Sequence, residues 1–136
     1  MSEEEVIAQI VGRAYEAIAF KPGGDPDWRR FNEVFHPSAI LALRVFPHDE
    51  AVGVLNLRDY AAAQMRHGIR EEGYSETPGE RKIEIVGEVA TVRQRFTMNL
   101  AKRLPVQAVD AFSLVRVDGR WLIVSVVSDM AAPTAG

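Results

Sequence analysis

A chain of 136 residues, 47% of them hydrophobic and none of them cysteine, is long enough for one buried core and short for two. The missing cysteines exclude disulfide frameworks, thiol catalysis, thiolate zinc sites and cysteine-ligated clusters. With 16 Lys plus Arg against 19 Asp plus Glu the formal charge is -3, and the basic residues are scattered. This excludes general nucleic-acid binding, whose affinity comes from neutralising phosphates.

The N-terminal Met1-Ser2-Glu3-Glu4-Glu5 is acidic where a signal peptide would be basic, and no apolar run reaches the roughly 18 to 20 residues of a membrane span. A cytoplasmic protein with no membrane partner is expected. Ser2 and Glu5 have capping-box spacing, and Ile7, Val11, Ala14 and Ile18 recur along one face of a first helix. Lys21-Pro22-Gly23-Gly24 stops it. Asp25 as N-cap and Pro26 as first residue open a second helix with Trp28, Phe31 and Phe35 on one stripe, ended by His36-Pro37. Ala39 to Val45 suits a strand, 46–50 a loop, and Ala51 to Val54 a short returning strand. Asn56 caps a third helix, lined by Leu57, Ala61, Met65 and Ile69 and closed by Gly73. Arg81 to Val86 and Val89 to Leu100 flank Gly87-Glu88. Val106 to Val117 and Trp121 to Asp129 flank Asp118-Gly119, a tight-hairpin signal. Residues 131–136 are expected to form a frayed tail behind one domain spanning 1–130.

Helices followed by long antiparallel strands give an α+β class, a curved sheet wrapped around three N-terminal helices. The carriers of a family likeness are Asp25-Pro26-Asp27-Trp28 through Phe35-His36-Pro37-Ser38-Ala39, the turn Gly87-Glu88-Val89-Ala90, and Asp110-Ala111-Phe112 through Arg120-Trp121-Leu122-Ile123. On these the chain resembles the nuclear transport factor 2-like superfamily, in its bacterial SnoaL-like and ketosteroid-isomerase-like branch, over roughly Val6 to Asp129. The resemblance implies a cone-shaped α+β barrel with an internal cavity that holds a small molecule. Members are isomerases, cyclases, dehydratases, epoxide hydrolases or non-catalytic binding and dimerisation modules, so fold alone does not choose among them.

The resemblance implies roles for particular positions. Asp110, before Ala111-Phe112, matches a carboxyl group that donates a hydrogen bond to an oxyanion, which requires surroundings that keep it protonated. The proton-shuttling base of the first strand falls on Ala42 or Leu43, neither of which moves a proton. The helix-one tyrosine falls nearest Ala14, with Tyr15 one residue along. The final-strand Asp of related hydrolases falls on Val127, and Asp129 shares its face. In Val89 to Leu100, Thr91, Arg93, Arg95 and Thr97 point one way and Ala90, Val92, Phe96 and Met98 the other. Composition alone sends the apolar set to the helices. The resemblance implies the reverse, and this is the expectation adopted: Arg93 and Arg95 enter the cavity with Asp110 and Asp129, pairing with an anionic or enolate-like ligand. Trp28, Phe31, Tyr60 and Phe112 supply apolar walls, with Tyr15 and Ser125 also assigned to ligand binding. Val92, Phe96, Met98, Val115, Val124 and Val126 are then an outer apolar face that makes a homodimer.

His36, His48 and His67 lie at a helix end, in a loop and on a helix surface without close pairing, so neither a metal nor a cofactor is expected. No nucleophile elbow, P-loop or dinucleotide glycine pattern occurs. Three functions stay open: a pocket enzyme with Asp110 as acid and Arg93 or Arg95 holding an anion, a non-catalytic binding module, and a structural dimerisation domain whose interior is filled by side chains.

Overall fold

The computed structural model describes residues 1–66 and 68–131; His67 and the expected tail from 132 onward lie outside the described residues. The elements run α1 (Glu3–Ile18), α2 (Trp28–Glu33), β1 (Phe35–Leu43), β2 (Gly53–Asn56), α3 (Leu57–Gln64), α4 (Ile69–Glu72), β3 (Tyr74–Val86), β4 (Val89–Leu100), β5 (Val106–Val117) and β6 (Arg120–Met130). Ser2 caps α1 by accepting from the Glu5 amide, and its hydroxyl donates to the Glu5 carboxylate. The cap of α2 is Asp27 rather than Asp25, so that helix is shorter than expected. Asn56 caps α3 as its sequence position requires, but the helix ends at Gln64, and Ile69 belongs to a separate turn, α4.

The strands form one six-stranded sheet in the order β2-β1-β6-β5-β4-β3. It curves around the helices but does not close, since β2 and β3 are its free edges. β1 runs parallel to β6, and the other neighbours are antiparallel. His36 and Pro37 lie inside β1 instead of ending a helix, and the His36 Nδ1 accepts from the Ser38 amide at 3.0 Å. β3 begins at Tyr74, seven residues before the expected start, because the chain crosses Pro78-Gly79 through a bulge. Gln94, completely buried on β4, holds that bulge: its Nε2 donates to the carbonyls of Gly79, Glu80 and Arg95, and its Oε1 accepts from Arg81.

Alternation decides which face meets the helices. On β4 the even-numbered residues Ala90, Val92, Gln94, Phe96, Met98 and Leu100 are buried, while Arg93 is exposed and Arg95 half-buried on the other side. The expectation that the odd-numbered face lines the interior is therefore corrected. Burying each of those apolar side chains contributes roughly 1.5 to 3 kcal/mol, whereas burying two unpaired guanidinium groups would cost several. The proposed outer dimerisation face is corrected with it, because Val92, Phe96, Met98 and Val126 belong to the core. That core is one cluster running from Ile7, Val11 and Ile18 of α1 to Leu114 and Ile123 of the sheet.

Candidate functional site

The curved sheet and the helices leave a small hollow of about 50 Å³. α1 contributes Ala14 and Tyr15, α2 Phe31 and α3 Tyr60; the inner sheet face adds Leu41, Leu43, Phe96 and Phe112. The polar centre is Asp110. It lies between Gln94 and Ser128 in the sheet register, is 8% exposed, and accepts a hydrogen bond from the Tyr15 hydroxyl at 2.6 Å. Tyr15 is held at that angle by edge and tilted contacts to Phe112 and Phe96, with ring centroids 6.0 and 5.6 Å away.

A second carboxyl group, Glu76, also lines the hollow. It stands on β3 opposite Met98 and accepts from the Tyr74 hydroxyl at 2.5 Å. Although Glu76 is only partly shielded from solvent as a residue, its carboxyl group is closely enclosed. Burial pushes Asp110 up to about 6, against the opposing hydrogen bonds from Tyr15 and Ser128. Burial, together with the charge of Asp110, pushes Glu76 up to about 8. The two groups therefore titrate as a linked pair. Tyr15, Tyr60 and Tyr74 are all driven upward by burial and by these carboxylates, so they remain hydroxyl donors.

The structure gathers Tyr15, Phe31, Tyr60, Asp110 and Phe112 from the residues expected at the site. Trp28 stands behind them, packing edge-on against Phe31 and Tyr60 at 5.5 and 6.3 Å. Arg93, Arg95, Asp129 and Ser125 are not in the lining. Arg93 and Arg95 lie on the outer face for the reason given above. Asp129 shares the outward side of β6 with the exposed Val127, and both its oxygens accept from Arg44 Nη1 at 2.8 and 2.6 Å. Ser125 pairs across the sheet with Ser113 and Ile40. Of the two candidate base positions, Leu43 lines the hollow and Ala42 does not, so β1 brings no proton carrier to it. Glu76, Ser128 and Arg44 were missed. The signal for Glu76 was the alternation Tyr74, Glu76, Pro78, which the bulge breaks before Arg81, Ile83 and Ile85 continue the same face.

The family model described as "Putative lumazine-binding" matches residues 22–127, most of the chain. The chain belongs to this lumazine-binding-like family. It is also NTF2-like in fold: an NTF2-like protein from Cytophaga hutchinsonii superposes with a TM-score of 0.75 at 13% identity, covering 96% of this chain and 100% of that one. A protein of unknown function with a cystatin-like fold from Nostoc punctiforme gives 0.72 at 12% identity, over 95% and 91% of the two chains. A Mycobacterium tuberculosis protein of unknown function gives 0.73 at 19%, over 96% and 73%. At such identities the likeness is one of fold. No curated protein matches the chain. Within this lumazine-binding-like family member, no helix among the described residues is long and apolar enough to cross a membrane.

Proposed function

We propose that the chain binds a small molecule in the hollow, and that Asp110 is the group that hydrogen-bonds to it or exchanges a proton with it. One observation carries this reading: a carboxyl group 8% exposed, lining a cavity, has the hydroxyls of Tyr15 and Ser128 as its partners and, among the described residues, no cation. A carboxylate in an apolar enclosure costs stability, and such perturbed groups concentrate where chemistry or recognition needs them. The family description supports a small-molecule ligand.

Acid–base catalysis, of the isomerase, cyclase, dehydratase or hydrolase kind, is the second reading. It is favoured by Asp110 and Glu76 lining one hollow with values pushed up to about 6 and about 8, so that near neutral pH Asp110 is mostly ionised while Glu76 mostly keeps its proton. The hollow then offers a proton donor and an acceptor at once, and Glu76 supplies from β3 the carboxylate that β1 lacks.

Thermal-shift titration with lumazine and a panel of small amines, alcohols, amides and ketones tests the binding reading. A binding compound should raise the melting temperature of the wild type, and Asp110→Asn should weaken its affinity roughly 10- to 100-fold, the usual worth of a hydrogen bond to a charged group. Arg93→Ala, on the outer face, should leave it unchanged. A panel without effect, or an effect indifferent to Asp110→Asn, would overturn the proposal.

An outer apolar row of the sheet supports a homodimer. The row is Val54, Ala42, Val127 and Ala111, which are cross-strand partners over β2, β1, β6 and β5. Val54 and Val127 are 70% and 56% exposed in the single chain, an unusual arrangement for adjacent apolar residues in water.

A further inference from the structure

The walls of the hollow also define the charge of what it takes, an inference that rests on the pocket reading above. Asp110 on β5 and Glu76 on β3 present carboxyl groups to it, and the rings of Phe31, Tyr60, Phe96 and Phe112 present aromatic surface. Among the described residues the one cation in the lining is Arg44, and it is already engaged. Its Nη1 donates to both carboxylate oxygens of Asp129, and its Nε donates to the Asp49 carbonyl at 3.0 Å. The Tyr15 and Tyr74 hydroxyls are likewise directed at Asp110 and Glu76. The enclosure therefore holds acceptors and π faces without a free positive charge.

An anion entering it would lose hydration and meet two carboxyl groups, with the Tyr60 hydroxyl to donate to it but no free cation to offset either cost. A cation would find a charged hydrogen-bond acceptor and aromatic faces together, the two features that bind desolvated ammonium groups. We propose that the pocket recognises a small organic ammonium group, its N–H directed to Asp110 and Glu76 and its carbon substituents against the Phe31, Phe96 and Phe112 rings. A hollow of about 50 Å³ admits only a head group of a few heavy atoms, such as an alkylamine end or the protonated nitrogen of a small ring. This replaces the anionic ligand expected from Arg93 and Arg95, neither of which lines the hollow.

The proposal carries a proton signature. Both carboxyl groups hold protons more tightly than free ones, so a bound cation that favours their ionised forms must release part of a proton into solution near pH 7. Isothermal calorimetry with isobutylammonium, isobutanol and isobutyrate, three probes of similar shape, in two buffers of different ionisation enthalpy, reads both affinity and proton release. The expected result is that isobutylammonium binds at least about tenfold more tightly than the alcohol, releases protons, and loses about tenfold or more in affinity in Glu76→Gln, while isobutyrate does not bind. Isobutanol or isobutyrate binding as tightly as the amine would overturn the ammonium assignment and leave the pocket standing. If none of the three binds and the lumazine and fragment panel is also silent, both the assignment and the pocket reading fall. The comparison among probes uses the wild-type protein, so it does not depend on how the variant folds.

Discussion

Asp110 and Glu76 make the protein's stability depend on pH in a direction opposite to that of an ordinary salt-bridged carboxylate. In the unfolded chain they ionise at their ordinary values of 3.8 and 4.5, while in the folded protein they keep their protons to about 6 and about 8. Folding thus binds protons between these limits, and the stability it gains is fully present below pH 4 and is lost as pH rises through 6 and 8. Glu76→Gln keeps an acceptor for Tyr74 and removes the charge. The melting temperature of the wild type should therefore fall between pH 5 and 8.5 more steeply than that of the variant, leaving the variant higher by roughly 4 °C or more at pH 8.5, about the effect of 1 kcal/mol in a domain of this size. Parallel melting profiles across that range would show that Glu76 is not held protonated. The family likeness pointed to Asp110 and to Tyr15, one residue from the matching position, and both line the hollow. Their partnership was not legible, because 95 residues separate them and a sequence carries no distance.

At the scale of elements, the turn chemistry was the most legible part. Asp118-Gly119 forms the β5–β6 hairpin with both residues at positive φ, 51° and 78°, as that tight turn requires. Gly73, expected to close the third helix, instead ends the separate turn α4, and the structure adds a reason that no sequence pattern contains. At φ 75° it passes so close to Pro22 that a Cβ would stand 2.9 Å from the proline ring, where Phe20 and Tyr74 exchange backbone hydrogen bonds. Gly73→Ala should destabilise the protein by roughly 1 to 3 kcal/mol, through the strained backbone and the displaced Pro22, as measured by urea unfolding. A change within about 0.5 kcal/mol would mean that this junction yields freely. The least legible element was the first half of β3. Pro78-Gly79 reads as a loop, and the bulge that keeps the strand going depends on Gln94, a residue of another strand.

For the whole molecule, the open sheet leaves one face against the helices and one facing outward. The outward row of Val54, Ala42, Val127 and Ala111 predicts a dimer in sedimentation velocity at micromolar concentration, and Val127→Lys should shift that dimer towards monomer by about tenfold or more in dissociation constant. A wild type that sediments as a monomer at high concentration would remove the dimer.

Local pattern by itself determined the α+β class, the caps of α1 and α3, the hairpin turns and the apolar residues of β4 and β5, since these follow from capping, turn geometry and alternation between near neighbours. Only the tertiary structure decided which face of β4 looks inward, and therefore that Arg93 and Arg95 stay outside while Glu76 joins Asp110. Alternation separates two faces, composition favours burying the apolar one, and the family likeness favours the other. The choice between them is made by the helices that pack on one side, where apolar burial is favourable and unpaired charge is not.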